Sequence, residues 1–165
     1  MPELTATDVI VHSLTASQMM LMRYTEDLTP EEYLHRTAPG ANCTAWLLGH
    51  LALSDRSVLS KRLGAVDLPT LPEGFEKAFS RDEGCPQASS FGDVSILRGI
   101  FNQHRDRLIA DVKRLSPAKL SEPLEKPHPM FGTIGQMINF MALHSMMHAG
   151  QITMIRRSLG RPPIA

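Results

Sequence analysis

The chain has little that would staple, polarise or address it. Two cysteines in 165 residues, Cys43 and Cys85, stand far apart and form no CxxC pair, which argues against a disulfide framework or a zinc ribbon. Seventeen basic residues are cancelled by seventeen acidic ones. No net field therefore favours nucleic acid or an anionic lipid surface as a partner. The opening residues, MPELTATDVI, lack a basic region followed by an apolar one, so no signal peptide is expected and cytoplasmic residence is the default. Strand-like alternation is missing over any useful length, and so are internal repeats.

One long segment lacks charge altogether. Residues 127–155 contain no Asp, Glu, Lys or Arg, and such a segment is long enough to cross a bilayer. A span would carry Gln136, Asn139, His144, Ser145, His148 and Gln151 into hydrocarbon, each at a cost. A helix buried in a soluble bundle is the better reading, and no membrane partner is expected.

What the chain does have is the composition of a globular protein, 42% hydrophobic and 21% charged, in a length that suits one domain over residues 1–165. Four stretches have helical character. Residues 7–26 carry Val9, Ile10, Leu14, Met20 and Leu21 at helical spacing. After them Thr29-Pro30-Glu31-Glu32 reads as a capped helical turn, broken by Pro39-Gly40. Residues 42–63 form the second helix, with Asn42 as its cap and Gly64 as its stop. Residues 65–91 are rich in Pro, Gly and Ser and read as a long connection, with one helical turn around residues 75–79.

The third helix spans residues 93–115, with Val94, Leu97, Phe101, Leu108 and Val112 on one stripe. A second Pro-rich connection, SPAKLSEPLEKPHPMFG, leads to Thr133 and Gln136, which resemble a capping box opening the fourth helix. That helix runs to about residue 159, where Arg156 and Arg157 suit the negative end of its dipole, followed by Gly160 and Pro162-Pro163. The fold class is all-α: a four-helix bundle with long connections after the second and third helices.

The chemistry lies in the histidines. In HSMMHAGQ, His144, His148 and Gln151 fall at i, i+4 and i+7, one face of a helix. They share it with Met137, Met141 and Ile155, so that face should look inward. Two imidazoles at this spacing can chelate a divalent metal, with a third ligand from another helix. His50, in TAWLLGHLALSD, is the candidate. Three histidines would leave coordination positions open, as catalytic metal sites do. Zinc, nickel and ferrous iron all accept imidazole. A helical HxxxH alone is also the mark of two core imidazoles bonded to each other, a carbonyl or a water.

The remaining candidates read more plainly. His104 takes a core position in the series Leu97, Phe101, His104, Leu108. It is a possible fourth ligand or support for one, but best read as a hydrogen-bonded core histidine. Cys43 lies about two turns before His50 and is a candidate to line the same cavity, a buried inert thiol being the plainer reading. His128, in KPHPMFG, reads as an exposed loop residue able to reach a cavity mouth. The ten methionines read as a soft, gap-filling core, and Asp55 and Arg56 as solvated.

Two segments carry a resemblance. WLLGHLALSD and ALHSMMHAGQITMIRRSLGRPP resemble the signature segments of the DinB/YfiT-like superfamily, in helix order and over essentially the whole chain. A His in the second helix followed by HxxxHxGQI in the last is far more specific than HxxxH alone. The resemblance implies a four-helix bundle, often a homodimer, with a divalent metal held by His50, His144 and His148, and Gln151 supporting the ligands or the packing. Relatives in that superfamily include thiol-dependent S-transferases using bacillithiol, mycothiol-dependent isomerases and proteins described as metal-dependent hydrolases.

Two mechanisms suit such a site with a small-molecule substrate. A bound low-molecular-weight thiol, held as thiolate, attacks an electrophile, or the metal activates water for hydrolysis. The fourth helix offers no carboxylate near its histidine pair to act as general base, which favours thiol transfer. Binding of a metal or small ligand without turnover is the third expectation.

Overall fold

The computed structural model describes residues 3–80, 88–162 and 164. Cys85 and Pro163 lie outside them, as does the middle of the first long connection. Four long helices make a bundle: α1 (Ala6–Thr25), α3 (Thr44–Lys61), α5 (Leu97–Val112) and α7 (Ile134–Ser158). Around the bundle α1 borders α7 and α5, and α3 borders α5 and α7. Helices α1 and α3 are thus diagonal, as are α5 and α7. Short elements fill the connections: α2 (Pro30–Tyr33), α4 (Phe75–Phe79), two 3-10 turns (Ala88–Phe91 and Val94–Ile96) and α6 (Pro117–Ser121).

The helix starts follow capping chemistry. Thr5 and Asp8 form a reciprocal box at α1, and Thr29 and Glu32 form another at α2, with Pro30 in the first turn. At α7 the Thr133 hydroxyl accepts from the Gln136 amide, while the Gln136 side chain turns instead to the Gly132 N–H. Asn42 does not cap α3. Cys43 occupies that position without a side-chain capping hydrogen bond, its thiol buried against the core.

The second connection departs from the expectation of irregular chain. Pro123–His128 (β1) and Phe131–Thr133 (β2) pair as an antiparallel hairpin with an irregular register. Proline-rich strands this short carry no alternation to detect, and packing of Leu124 and Phe131 against the bundle holds the hairpin. Gly135, at the start of α7, lets the backbone of Leu120 approach; a Cβ there would lie 2.9 Å from the Leu120 carbonyl oxygen.

The stripe on α5 is buried in full: Val94, Leu97, Phe101, Leu108 and Val112. On α1, Ile10, Leu14 and Leu21 are buried, but Val9 and Met20 face outward. The methionines are not chiefly core residues. Met137 and Met141 are buried, whereas Met19, Met130, Met146, Met147 and Met154 are exposed.

A second correction concerns charge. Asp55 is not solvated; it is fully buried, and so is Arg105 on α5. Arg105 Nε and Nη2 donate to the two Asp55 carboxylate oxygens at 2.7 and 3.1 Å. Its remaining hydrogens reach Ser17 Oγ at 3.0 Å on α1 and Ser145 Oγ at 2.9 Å on α7. The guanidinium carbon lies 5.1 Å from the centre of the Phe101 ring. Burial raises the Asp55 carboxyl above its ordinary range, against the opposing pull of Arg105. Arg56 is partly buried, bonding the Pro69 carbonyl and an ion-pair partner, Glu76.

At the far end of α7, Arg156 binds Asp27 and the Tyr24 carbonyl, and Arg161 binds Glu32 and Asp27. These hydrogen bonds hold both carboxyls below the usual carboxylate range.

Removing one partner from a buried ion pair leaves an uncompensated charge, so Arg105→Met should lower stability by about 3–5 kcal/mol in urea unfolding. The Arg105→Met, Asp55→Leu double variant should recover most of that loss. Equal destabilisation in both would show that the pair does not act as a unit.

Candidate metal centre

His50 on α3 and His144 and His148 on α7 meet in the seam between the two helices. Their ligating nitrogens all lie within 4.8 Å of one another. His144 Nε2 is 3.3 Å from His50 Nε2 and 2.9 Å from His148 Nε2. His50 and His148 are 8% and 9% exposed, and His144 is more open. The expected inward face is therefore a flank: the cluster sits at the edge of the bundle, within reach of solvent through His144.

Each ring is oriented by a neighbour. The His148 Nδ1–H donates to the Gln151 Oε1 at 3.0 Å, which leaves the Nε2 lone pair directed at the other two rings. The indole of Trp46 lies flat on the His50 ring, with centroids 4.8 Å apart and planes 3° apart. Phe140 stacks on His144, with centroids 6.0 Å apart and planes 9° apart. Both aromatic supports stand four residues before the histidine they hold. The helical repeat alone could have marked them.

The arrangement fits a cation. An in-plane imidazole nitrogen carries either one hydrogen or one lone pair, yet His144 Nε2 is approached by two others at once. Ordinary N–H···N bonding serves only one such contact well, whereas one cation can take a lone pair from each ring. Nitrogens about 2.0–2.1 Å from a tetrahedral zinc stand roughly 3.3 Å apart, close to the separations of His144 Nε2 from the other two rings. Three neutral ligands would leave the full dipositive charge available to a fourth partner.

His104 does not join the cluster. It is fully buried, its Nδ1–H donating to the Ile100 carbonyl at 2.8 Å and its Nε2 facing Arg56 Nη1 at 3.4 Å. Burial lowers its pKa and keeps it neutral, as suits a hydrogen-bonded core histidine. Cys43 is buried at the start of α3 and is not among the clustered donors. His35 bonds Ser158 Oγ at 2.9 Å. Among the described residues no carboxylate belongs to the cluster.

The family model of the DinB superfamily matches residues 13–152, which include all three clustered histidines. The chain belongs to the DinB superfamily. Among solved structures it is similar to YfiT from Bacillus subtilis, described as a probable metal-dependent hydrolase with an unusual four-helix bundle topology. The two share 17% identity and a TM-score of 0.64, over 98% of this chain and 93% of that one. No curated protein matches. At that identity the likeness establishes the DinB chain as a YfiT-like bundle and leaves its chemistry to its own residues. Among the described residues, no helix of this DinB protein is long and apolar enough to cross a membrane.

Gln151 gives this geometry a direct test. Gln151→Ala removes the acceptor that fixes the His148 ring and should weaken metal affinity about 10- to 100-fold in chelator competition. Gln151→Glu keeps an acceptor and should stay near wild type. Equal affinity in all three proteins would show that the bond does not matter to the site.

Proposed function

We infer that His50, His144 and His148 hold a divalent metal (zinc, nickel or iron) and that the site is catalytic. The observation that carries this reading is the convergence of three imidazole Nε2 atoms on one point, with His148 held in the ligating tautomer by Gln151. When bound, such an ion supplies positive charge that favours the anionic form of a thiol or water beside it.

The chain's own residues supply orientation and access. Trp46 fixes the His50 ring, Phe140 fixes His144, and the more open His144 side faces solvent. The activity we favour is S-transfer from a low-molecular-weight thiol to a small electrophile. The thiolate sulfur forms a bond to carbon as the carbon's bond to its leaving group breaks. This reaction needs no general base once the thiol is ionised, and α7 carries no carboxylate beside its histidines. Hydrolysis is the second reading, favoured by the fold shared with YfiT, a probable metal-dependent hydrolase.

Elemental mass spectrometry should find near-stoichiometric metal in the wild type, lost in both His50→Ala and His144→Ala. The metal-loaded protein should consume a small thiol in the presence of an electrophile, and a chelator or His148→Ala should reduce that rate to background. Ester cleavage without any thiol, equally sensitive to chelator, would instead establish the hydrolase. A wild type that takes up no metal would end both readings.

We also infer a homodimer formed through the outer face of α7, where Leu143, Met147 and Met154 are 53%, 58% and 57% exposed. This face carries no charge from residue 134 to residue 155, so two copies can meet across a two-fold axis without like-charge repulsion. Sedimentation should give the dimer mass for the wild type and the monomer mass for Met147→Lys. A monomeric wild type would remove the interface.

A further inference from the structure

A continuous series of rings runs from the hairpin tip to the metal centre. His128, at the end of β1, stacks on Phe131 with centroids 4.6 Å apart and planes 15° apart. Phe131 lies 5.2 Å from Phe140 at 42°, and His128 lies 6.5 Å from Phe140 at 39°. Phe140 in turn stacks on His144. Two near-parallel pairs therefore meet at an angle of about 40°, a corner whose last member is a clustered histidine. Phe131 and Phe140 pack against the core formed with α1, α5 and α6, yet both remain partly exposed. His128 and Met130 are exposed beyond them.

The hairpin could cover α7 with aliphatic side chains, as Leu124 does nearby. Partly exposed rings have a specific use, since they favour offset-stacked or edge-to-face contact with other flat groups. The Met130 N–H donates to His128 Nδ1 at 3.2 Å, which leaves Nε2 to carry the hydrogen of the neutral ring. The corner thus offers two apolar rings and, on the exposed His128, one N–H donor.

We propose that His128, Phe131 and Phe140 form the recognition wall of the site, binding the planar, unsaturated or aryl portion of a ligand whose donor atoms reach His50, His144 and His148. The proposal rests on the metal reading above and assigns the class of ligand: a flat apolar group attached directly to a metal-binding or electrophilic head. Aliphatic ligands with the same head would engage the metal end alone.

Hydroxamates test this without requiring turnover, because they bind divalent metals through the head group and differ only in the tail. Calorimetry on the zinc-loaded protein should show benzohydroxamate binding roughly tenfold more tightly than acetohydroxamate, the gain expected of one good ring–ring contact. Phe140→Leu and Phe131→Leu keep an apolar side chain in place. Each should reduce that preference to less than about threefold, and Phe131→Leu, the substitution further from the ligands, should do so with zinc content and acetohydroxamate affinity unchanged. Acetohydroxamate binding with no gain from the phenyl group, or a gain that survives in both variants, would overturn the wall while leaving the metal site standing. A wild type that retains no zinc and binds neither hydroxamate would overturn the metal reading itself, and the wall's role as a recognition surface with it.

Discussion

The guanidinium of Arg105 touches all four long helices. It is carried by α5, pairs with Asp55 on α3, and donates to Ser17 on α1 and Ser145 on α7. A buried charge of this kind tolerates little displacement, because each lost hydrogen bond leaves a desolvated group without compensation. Apolar packing alone would allow helices to slide by a turn at modest cost, whereas the fork of the guanidinium fixes their register. The metal centre inherits that register. His50 lies five residues before Asp55 on α3, while His144 and His148 flank Ser145 on α7. The pin that sets the helices against one another therefore also brings three imidazoles from two helices to one point. Its charges cancel within the pair, so a cation at the seam meets no strong repulsion from the core.

The triad was legible in the sequence, because His144, His148 and Gln151 follow the helical repeat and His50 stands among apolar neighbours. The four main helices were legible for the same reason, to within a few residues at their ends. The buried pin was not read, since a charged residue is ordinarily a sign of solvent. A signal was present nonetheless. Arg105 falls between Phe101 and Leu108 on the buried stripe of α5, and Asp55 falls between Leu51 and Val58 on that of α3. Opposite charges in the apolar stripes of two helices, with small hydroxyls at Ser17 and Ser145, are the mark of a satisfied internal pair. The hairpin left no comparable trace, because strands this short, interrupted by proline, have no period.

The inward direction of the histidines needed a different adjustment. Helical periodicity separates a buried face from an exposed one, but it does not distinguish the axis of a bundle from the seam between two adjacent helices. Gln151 shows the difference: it is exposed, yet its side chain reaches back to His148. A seam gives the cluster ligands from two helices and an approach from solvent. The axis, filled by Arg105 and its partners, would have given no approach from solvent.

The placement of the aromatic residues explains why the two long connections belong to the site. The chain has only nine Phe, Trp and Tyr side chains in all, six of them Phe. Phe79, with Phe91 stacked on it and Phe75 tilted against it, presses on α3 at Gly49, where an added Cβ would fall 2.2 Å from its ring. That contact lies one residue from His50 and ties the first connection to the helix that presents it. The second connection delivers Phe131 to Phe140 and hence to His144. Trp46 completes the set on the His50 ring. Thus the connections that interrupt an otherwise plain bundle each bring rings against one of the two helices that carry the clustered histidines. Long connections are entropically tolerable in a bundle but contribute little unless they pack. Here the first packs on α3 at Gly49 and the second on α7 at Phe140, so the bundle supplies register and the connections brace the two helices that carry the clustered histidines.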